Sequence, residues 1–283
     1  MKKTFGVIGG DLRQAYLAGL LAEDGQTVTT CGLTQWDGTR EAPLPETAAA
    51  EVILLPLPLC REEGCLNSAD ESVSTEELFR LFSPEQVLLA GQIRPAQRRE
   101  AEALGLSPED YFLREELQVA NAVPTAEGAV QIAMEQMPVT LCGTECLVLG
   151  YGRIGRLLAH RLSGLEARVT VAARKHGDLA WARAFGLTAI HSTDLAGHLG
   201  RFQAVFNTVP SLILDRGLLK ELPKTCLCID VASQQGLDFA AAEELGIQAV
   251  WARSLPGRMS PRTAAAAIRD TVYHILEERG ESV

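Results

Sequence analysis

Short apolar runs alternate with polar, helix-period stretches along almost the whole chain, a rhythm that predicts strands and helices in βαβ order. Phe5-Gly-Val-Ile-Gly9-Gly10-Asp11 reads as a strand entering a glycine turn, and apolar positions from Leu12 to Leu21 recur at helical spacing. Val28 to Cys31 reads as the next strand, Glu51 to Pro58 as a buried strand ended by prolines, and Gln86 to Ala90 as another, ended by Gly91. The polar stretch from Arg61 to Ser74 reads as a long loop, a kind of segment that is more often functional or mobile than neutral. Further on, Leu147 to Leu149 and Arg168 to Ala172 read as strands, Asp178 to Phe185 as a helix and Leu187 to Ile190 as a strand. A short helix from Asp194 to Leu199, strands at Gln203 to Phe206, Thr225 to Ser233 and Ile247 to Trp251, and a final helix from Ala264 to Glu278 complete the series.

Strands alternating with helices imply an α/β protein with parallel sheets. The expectation is two Rossmann-like domains with a cleft between them, the C-terminal one a doubly wound, parallel-sheet dinucleotide-binding domain. Residues 1–120 form an N-terminal α/β domain for substrate or partner, 121–141 an interdomain helix, 142–253 the dinucleotide-binding domain, and 254–283 a basic loop and a helix crossing back. The boundary rests on Pro124, which pushes Val123 towards an extended conformation and is expected to break regular structure. From Thr125, a plausible cap, Ala126, Ala129, Val130 and Ala133 share one helical face, and Glu127 in the first turn suits the helix dipole. Pro138 then disrupts the helix.

The densest chemistry lies in Leu147-Val-Leu-Gly150-Tyr-Gly152-Arg-Ile-Gly155, where an apolar run feeds a Gly-x-Gly-x-x-Gly turn and a helical pattern resumes. Gly150 allows the tight turn, Gly152 lets backbone approach a diphosphate, and Gly155 lets the helix pack on the strand. The helix opening at Arg153 and Ile154 then directs N–H groups and a positive dipole end towards the phosphates. An ordinary glycine-rich turn is the competing reading, but the strand before the motif and the helix after it favour a dinucleotide site.

The end of the following strand selects the cofactor. NAD sites place an Asp or Glu about 20 residues on to bind the ribose 2′-OH, and here Ala172-Ala173-Arg174-Lys175 stands in that place. Small residues make room and the Arg–Lys pair offers charged donors to a 2′-phosphate, so NADP is expected rather than NAD. A solvated loop end is the ordinary alternative. Ligands collect beyond the carboxyl ends of parallel strands, which brings Asn207, Thr208, Pro210, Asp230 and Ser233 to the candidate pocket, against the alternative of turns closing their own hydrogen bonds. The Gly9-Gly10-Asp11 turn lacks a third glycine because Arg13 and Gln14 stand where small residues should be. It reads as a turn offering backbone donors and Arg13 to a small anion, or as a purely structural turn with Asp11 as a helix cap.

Composition narrows the classes. With 283 residues, 47% hydrophobic and 22% charged, the chain reads as a globular protein with ample core. A net charge of -10 gives no support to nucleic-acid binding. The apolar part of the amino terminus is too short for a signal peptide and no run reaches membrane-spanning length, so a cytosolic protein with no membrane partner is expected. Seven cysteines, several of them in apolar runs, read as reduced thiols. No His falls at a spacing that would complete a zinc site, so no metal is expected.

Several segments together resemble the A-subunit of dipicolinate synthase from spore-forming bacteria. They are Asn121-Ala-Val-Pro-Thr-Ala-Glu-Gly-Ala-Val-Gln-Ile-Ala-Met-Glu135, Leu-Gly-Tyr-Gly-Arg-Ile-Gly155, Ala-Ala-Arg-Lys175, Phe-Asn-Thr-Val-Pro210, Leu-Pro-Gly257 and, at the amino terminus, Val7-Ile-Gly-Gly-Asp11 with Arg13-Gln14. The resemblance covers essentially the whole chain. It implies oxidation of dihydrodipicolinate to dipicolinate with NADP as hydride acceptor, in the mother-cell cytoplasm during sporulation. It also implies the flavoprotein-like B-subunit of dipicolinate synthase as partner; self-association stays open. Such a reaction mainly requires two planar rings to be aligned. A dicarboxylate calls for cationic grips, and Arg13, Arg94, Arg258 and Arg262 are the candidates, the last two on the basic loop over the supposed cleft. Glu127 and Asp230 are the candidate bases, against helix capping and strand-end hydrogen bonding as their ordinary uses.

Two other readings stay in view. The 2-hydroxyacid dehydrogenase group has a similar interdomain helix and glycine turn, but its catalytic Arg, Glu and His find no convincing positions here. The alternative is therefore another NADP-dependent dehydrogenase of a small carboxylate, or a cofactor-binding scaffold protein without chemistry of its own.

Overall fold

The computed structural model describes residues 2–33, 39–61, 64–69 and 73–281. They form two compact units, Met1–Asn121 with Ser260–Val283, and Ala122–Met259. Of the loop expected between Arg61 and Ser74, residues 62–63 and 70–72 lie outside the described residues.

The first unit holds β1 (Thr4–Ile8), β2 (Thr27–Cys31), β3 (Arg40–Glu41), β4 (Val52–Leu54), β5 (Val87–Ala90) and β6 (Glu109–Asp110). Their order is β3-β2-β1-β4-β5-β6, with every neighbouring pair parallel. β4 and β5 are buried at every position, which is why they read as continuous apolar runs rather than alternating ones. On one side, Leu17, Ala18 and Leu21 of the Leu12–Glu23 helix share a core with Ala265, Ile268, Val272 and Ile275 of the Pro261–Glu278 helix. The alanines let the two helices approach closely.

The second unit holds β7 (Glu145–Leu149), β8 (Arg168–Ala173), β9 (Thr188–His191), β10 (Ala204–Asn207), β11 (Leu227–Asp230) and β12 (Gln248–Trp251). Their order is β12-β11-β10-β7-β8-β9, again all parallel. Each sheet starts in its middle and winds outwards first one way and then the other, so the order reverses between β1 and β4 and between β7 and β10. The protein is therefore α/β with two Rossmann-like units, and those two reversals mark where such sheets open a ligand crevice.

Three local expectations are corrected, and two short strands are added. Pro124 does not break the chain, because it lies inside a helix running from Glu115 to Gln136. It removes one backbone donor, but the helix is packed on both sides of it, by Leu117 in the first unit and by Ala126, Ala129 and Ala133 in the second. The helix expected over Asp194–Leu199 is replaced by 3-10 turns at Ser192–Asp194 and Leu199–Arg201, since Gly197 at φ +79° reverses the backbone between them. The stretch after Ser254 is not a loop but a short helix, Leu255–Met259, followed by a helix that begins at Pro261, where a missing N–H costs nothing. The two-residue edge strands β3 and β6 carry no periodic signal and were not expected.

Candidate functional site

In the second unit the glycine turn links β7 to the Arg153–Gly164 helix. Each glycine answers a different constraint. Gly150 has φ +93°, and a Cβ on it would lie 2.4 Å from Thr208 Oγ1. A Cβ on Gly155 would lie 2.2 Å from the Gly150 carbonyl oxygen, so the helix sits on the turn only because that atom is missing. A Cβ on Gly152 would meet nothing within 4 Å. Gly152 precedes the helix without a side-chain cap, so the start of the helix has no side-chain acceptor from that position. Thr208 fastens β10 to β7 by donating both its N–H (2.9 Å) and its hydroxyl (2.8 Å) to the Leu149 carbonyl. Ile154 packs against the core, while Arg153 is exposed.

One contributor to this turn had no signal beyond its place after the third glycine. Arg156 donates to the Tyr151 carbonyl at 3.0 Å and to Asp178 at 3.1 Å, with its guanidinium over the Tyr151 ring. It braces the turn against the segment after β8. Burial pushes the Tyr151 phenol up, and the Arg156 charge opposes the shift.

At the end of β8, Ala172 and Ala173 are buried and Arg174 and Lys175 are exposed. The first carboxylate beyond them, Asp178, is turned to Arg156. The Arg174 carbonyl lies 2.8 Å from His191 Nε2, and the His191 ring stacks on His176 at 5.4 Å. The end of β9 thus fixes the backbone of the basic pair, a role that His191 did not advertise in the sequence.

Asn207 and Asp230 are both fully buried. Asn207 Nδ2 donates to Asp230 at 2.8 Å and to the Val209 carbonyl at 3.0 Å, while its Oδ1 accepts from Val209 N–H at 3.1 Å. Asp230 also accepts from the N–H groups of Ala232 (3.0 Å) and Gly236 (2.7 Å). Both side chains are spent on holding the strand ends, which matches the ordinary reading of each. Pro210 and Ser233 are exposed just beyond those ends. Glu127 pairs with Arg161 at 2.9 Å, and Arg161 lies eight residues along its helix from Arg153, about 12 Å at 1.5 Å per residue. Glu127 is therefore held away from the glycine turn.

In the first unit the Gly9 and Gly10 N–H groups donate to the carbonyls of Cys31 (2.8 Å) and Asn67 (2.6 Å). This corrects the expectation that they are available to an anion. Arg13 is buried and grips Asp11 through two nitrogens, at 2.9 and 2.8 Å, while Nη2 also donates to the Leu57 carbonyl. Asp11 caps the Leu12–Glu23 helix by accepting from Arg13 N–H at 3.0 Å. Burial raises the Asp11 carboxyl, but the hydrogen bonds and charge of Arg13, aided by the charge of Arg61, outweigh it and hold the group below its usual range. Arg94 precedes the Pro95–Ala103 helix and reaches the Arg61 carbonyl at 3.4 Å. Arg13, Arg61 and Arg94 thus all stand beyond the carboxyl ends of β1, β4 and β5. Arg262 does not join them, since it pairs with Glu23 at the far end of the Leu12–Glu23 helix. Arg258 lies exposed in the Leu255–Met259 helix of the second unit. None of the seven cysteines is in a disulfide, and no three potential metal ligands converge among the described residues.

Comparison with known proteins follows the same division. A family model for the N-terminal domain of the dipicolinate synthase A-subunit matches residues 4–112. The A-subunit of dipicolinate synthase from Bacillus subtilis (strain 168) is 29% identical over 282 residues, covering 96% of this chain and 95% of the relative. The crystal structure of the dipicolinate synthase A-subunit from Bacillus halodurans superposes with a TM-score of 0.87 at 29% identity, over 97% of each chain. A transhydrogenase from Sinorhizobium meliloti shares the fold at 14% identity and a TM-score of 0.70, over 97% of this chain and 94% of its own. With one family model on its first unit and end-to-end likeness in sequence and fold, the chain is similar over nearly its whole length to the A-subunits of dipicolinate synthase.

Proposed function

We propose that this chain is the oxidoreductase component of a dipicolinate synthase, which oxidises dihydrodipicolinate to dipicolinate with NADP as hydride acceptor. The observation that carries the reading is the contrast between Gly152, beside which there is open space, and Gly150 and Gly155, where a Cβ would collide with the protein itself. That is the demand a diphosphate makes on such a turn. The exposed Arg174 and Lys175, with Asp178 turned away to Arg156, suit a 2′-phosphate better than a bare ribose. When bound, the nicotinamide supplies an acceptor for one hydride. Gly150, Gly152, Arg153, Ile154 and Gly155 hold the diphosphate end, Arg174 and Lys175 the 2′-phosphate, and Thr208, Pro210 and Ser233 border the remainder.

Aromatising the dihydropyridine ring releases one hydride and one proton. Glu127 is paired and Asp230 is saturated with N–H donors, so neither takes the proton and it passes to water. Arg13 and Arg94, at the strand ends of the first unit, hold carboxylates of the substrate. The partner is the flavoprotein-like B-subunit, and the setting is the mother-cell cytoplasm during sporulation. A cofactor-binding component without chemistry is the second reading, favoured by the saturation of Asp230. Mixing the purified chain with NADP and freshly made dihydrodipicolinate, with and without the partner, decides between them. Reduced cofactor is expected to appear; NADP binding without any reduction in either arm would leave the second reading.

A further inference from the structure

Two amide side chains lie against the Gly9–Gly10 turn with an acceptor oxygen left over. Gln14 is fully buried and Asn67 is 3% exposed. A Cβ on Gly10 would come within 2.7 Å of Gln14 Cγ, and one on Gly9 within 2.9 Å of the Asn67 carbonyl, so both residues pack directly on the turn. Gln14 Oε1 and Asn67 Oδ1 are buried and have no hydrogen-bond partner.

Chemistry fixes which way each amide faces. Tyr111 donates its one hydroxyl proton to the Leu55 carbonyl at 2.9 Å, and burial pushes its phenol up, so the group keeps that proton. Its oxygen can then only accept, and the atom opposite it at 3.3 Å must be the NH₂ of Gln14. Asn67 Nδ2 lies 3.1 Å from the Pro58 carbonyl, which also only accepts. Rotating either amide would set oxygen against an acceptor, so both surplus oxygens are held where they are. The same stretch after β4 engages Tyr111 through Leu55, Arg13 through Leu57 and Asn67 through Pro58. It is the end of the sheet at which Arg61 and Arg94 are exposed. A buried acceptor left without a donor is costly, and retaining two beside one turn, next to a cluster of cations, matches a ligand that brings both a carboxylate and a donor.

We infer that the Gly9–Gly10 end of the first unit recognises a carboxylate ligand bearing its own O–H or N–H group, which donates its proton to Gln14 Oε1 or to Asn67 Oδ1 while the arginines hold its carboxylate. The inference deepens the dicarboxylate reading of Arg13 and Arg94 given above and rests on it. A saturated or hydroxylated ring acid satisfies both features. A fully aromatic dicarboxylate satisfies only one, so this end binds the donor-bearing form and releases the aromatic one.

Calorimetric titration of the full chain with three probes tests this. They are dipicolinate, its hydroxylated analogue chelidamate, and the methyl ether of chelidamate, which keeps the bulk and removes the donor. Chelidamate is expected to bind about tenfold more tightly than the other two, the scale of one hydrogen bond to a charge-free buried acceptor. In Gln14→Met or in Asn67→Leu that preference is expected to fall to about threefold or less. Equal affinity of the wild-type chain for chelidamate and its ether overturns the inference and leaves the dicarboxylate reading standing, with the two oxygens serving structural water only. A preference that survives unchanged in both Gln14→Met and Asn67→Leu also overturns it. Failure of all three probes to bind removes the dicarboxylate reading and this inference with it.

Discussion

Asn207 donates to Asp230 at 2.8 Å across the ends of two neighbouring parallel strands, β10 and β11. The carboxylate gathers two backbone N–H groups as well, so it organises the edge of the crevice without facing it. Asp230→Ala strands three donors in a fully buried place, and a loss of about 3 kcal/mol is expected. Urea denaturation measures it. A midpoint equal to that of the parent chain would show that the residue has been misassigned.

The glycines of the turn separate stability from binding. Gly155→Ala drives a Cβ into the Gly150 carbonyl, and backbone rather than a flexible side chain must give way, so both melting temperature and NADP affinity are expected to drop. Gly152→Ala meets nothing in the protein, and its φ of -80° suits alanine. Its stability is expected to stay within about 0.5 kcal/mol, with NADP affinity reduced at least about tenfold. Thermal melts with and without NADP read both. Unaltered affinity in Gly152→Ala would place the diphosphate elsewhere.

Replacing Arg174 with Asp sets a carboxylate against the 2′-phosphate and offers one to a ribose 2′-OH. The Michaelis constant for NADP is expected to rise more than about tenfold while that for NAD changes by less than about threefold. Equal changes would show the basic pair to be a solvated strand end.

Asp11 carries a dependence on pH. Its carboxyl is more acidic in the folded chain than its ordinary 3.8, because Arg13 outweighs the effect of burial. A group shifted in this direction stabilises the fold above its unfolded value, and the contribution is lost as pH falls through the lower folded value. Asp11→Asn is expected to unfold more readily than the parent near neutral pH, the gap closing below about pH 4. A gap that stays constant from neutral pH downwards would show that the charge of Asp11 does not carry the effect.

The central strands and the glycine turn were legible because buried parallel strands are written as unbroken apolar runs and because each of the three glycines has a distinct steric reason to be there. The strand ends were legible as places and much less so as chemistry. Asn207 and Asp230 looked equally fit for a ligand or for closing hydrogen bonds at their own strand ends, and only their partners decide. Pro124 misled because local backbone preference was weighed without the packing of Leu117 and Ala126 on either side of it. Arg262 misled because its partner, Glu23, is distant in sequence. Gln14 and Asn67 drew no notice as acceptors, since an amide becomes informative only when its neighbours show which end is already used.

The Pro261–Glu278 helix finishes a core that the Leu12–Glu23 helix begins. During synthesis on the ribosome, Leu17, Ala18 and Leu21 therefore emerge first and are covered last, after every strand of the second unit has been made. Until then the earliest part of the nascent chain presents an uncovered apolar surface, a natural target for a chaperone. A premature stop anywhere before residue 261 would spoil the half of the molecule translated first.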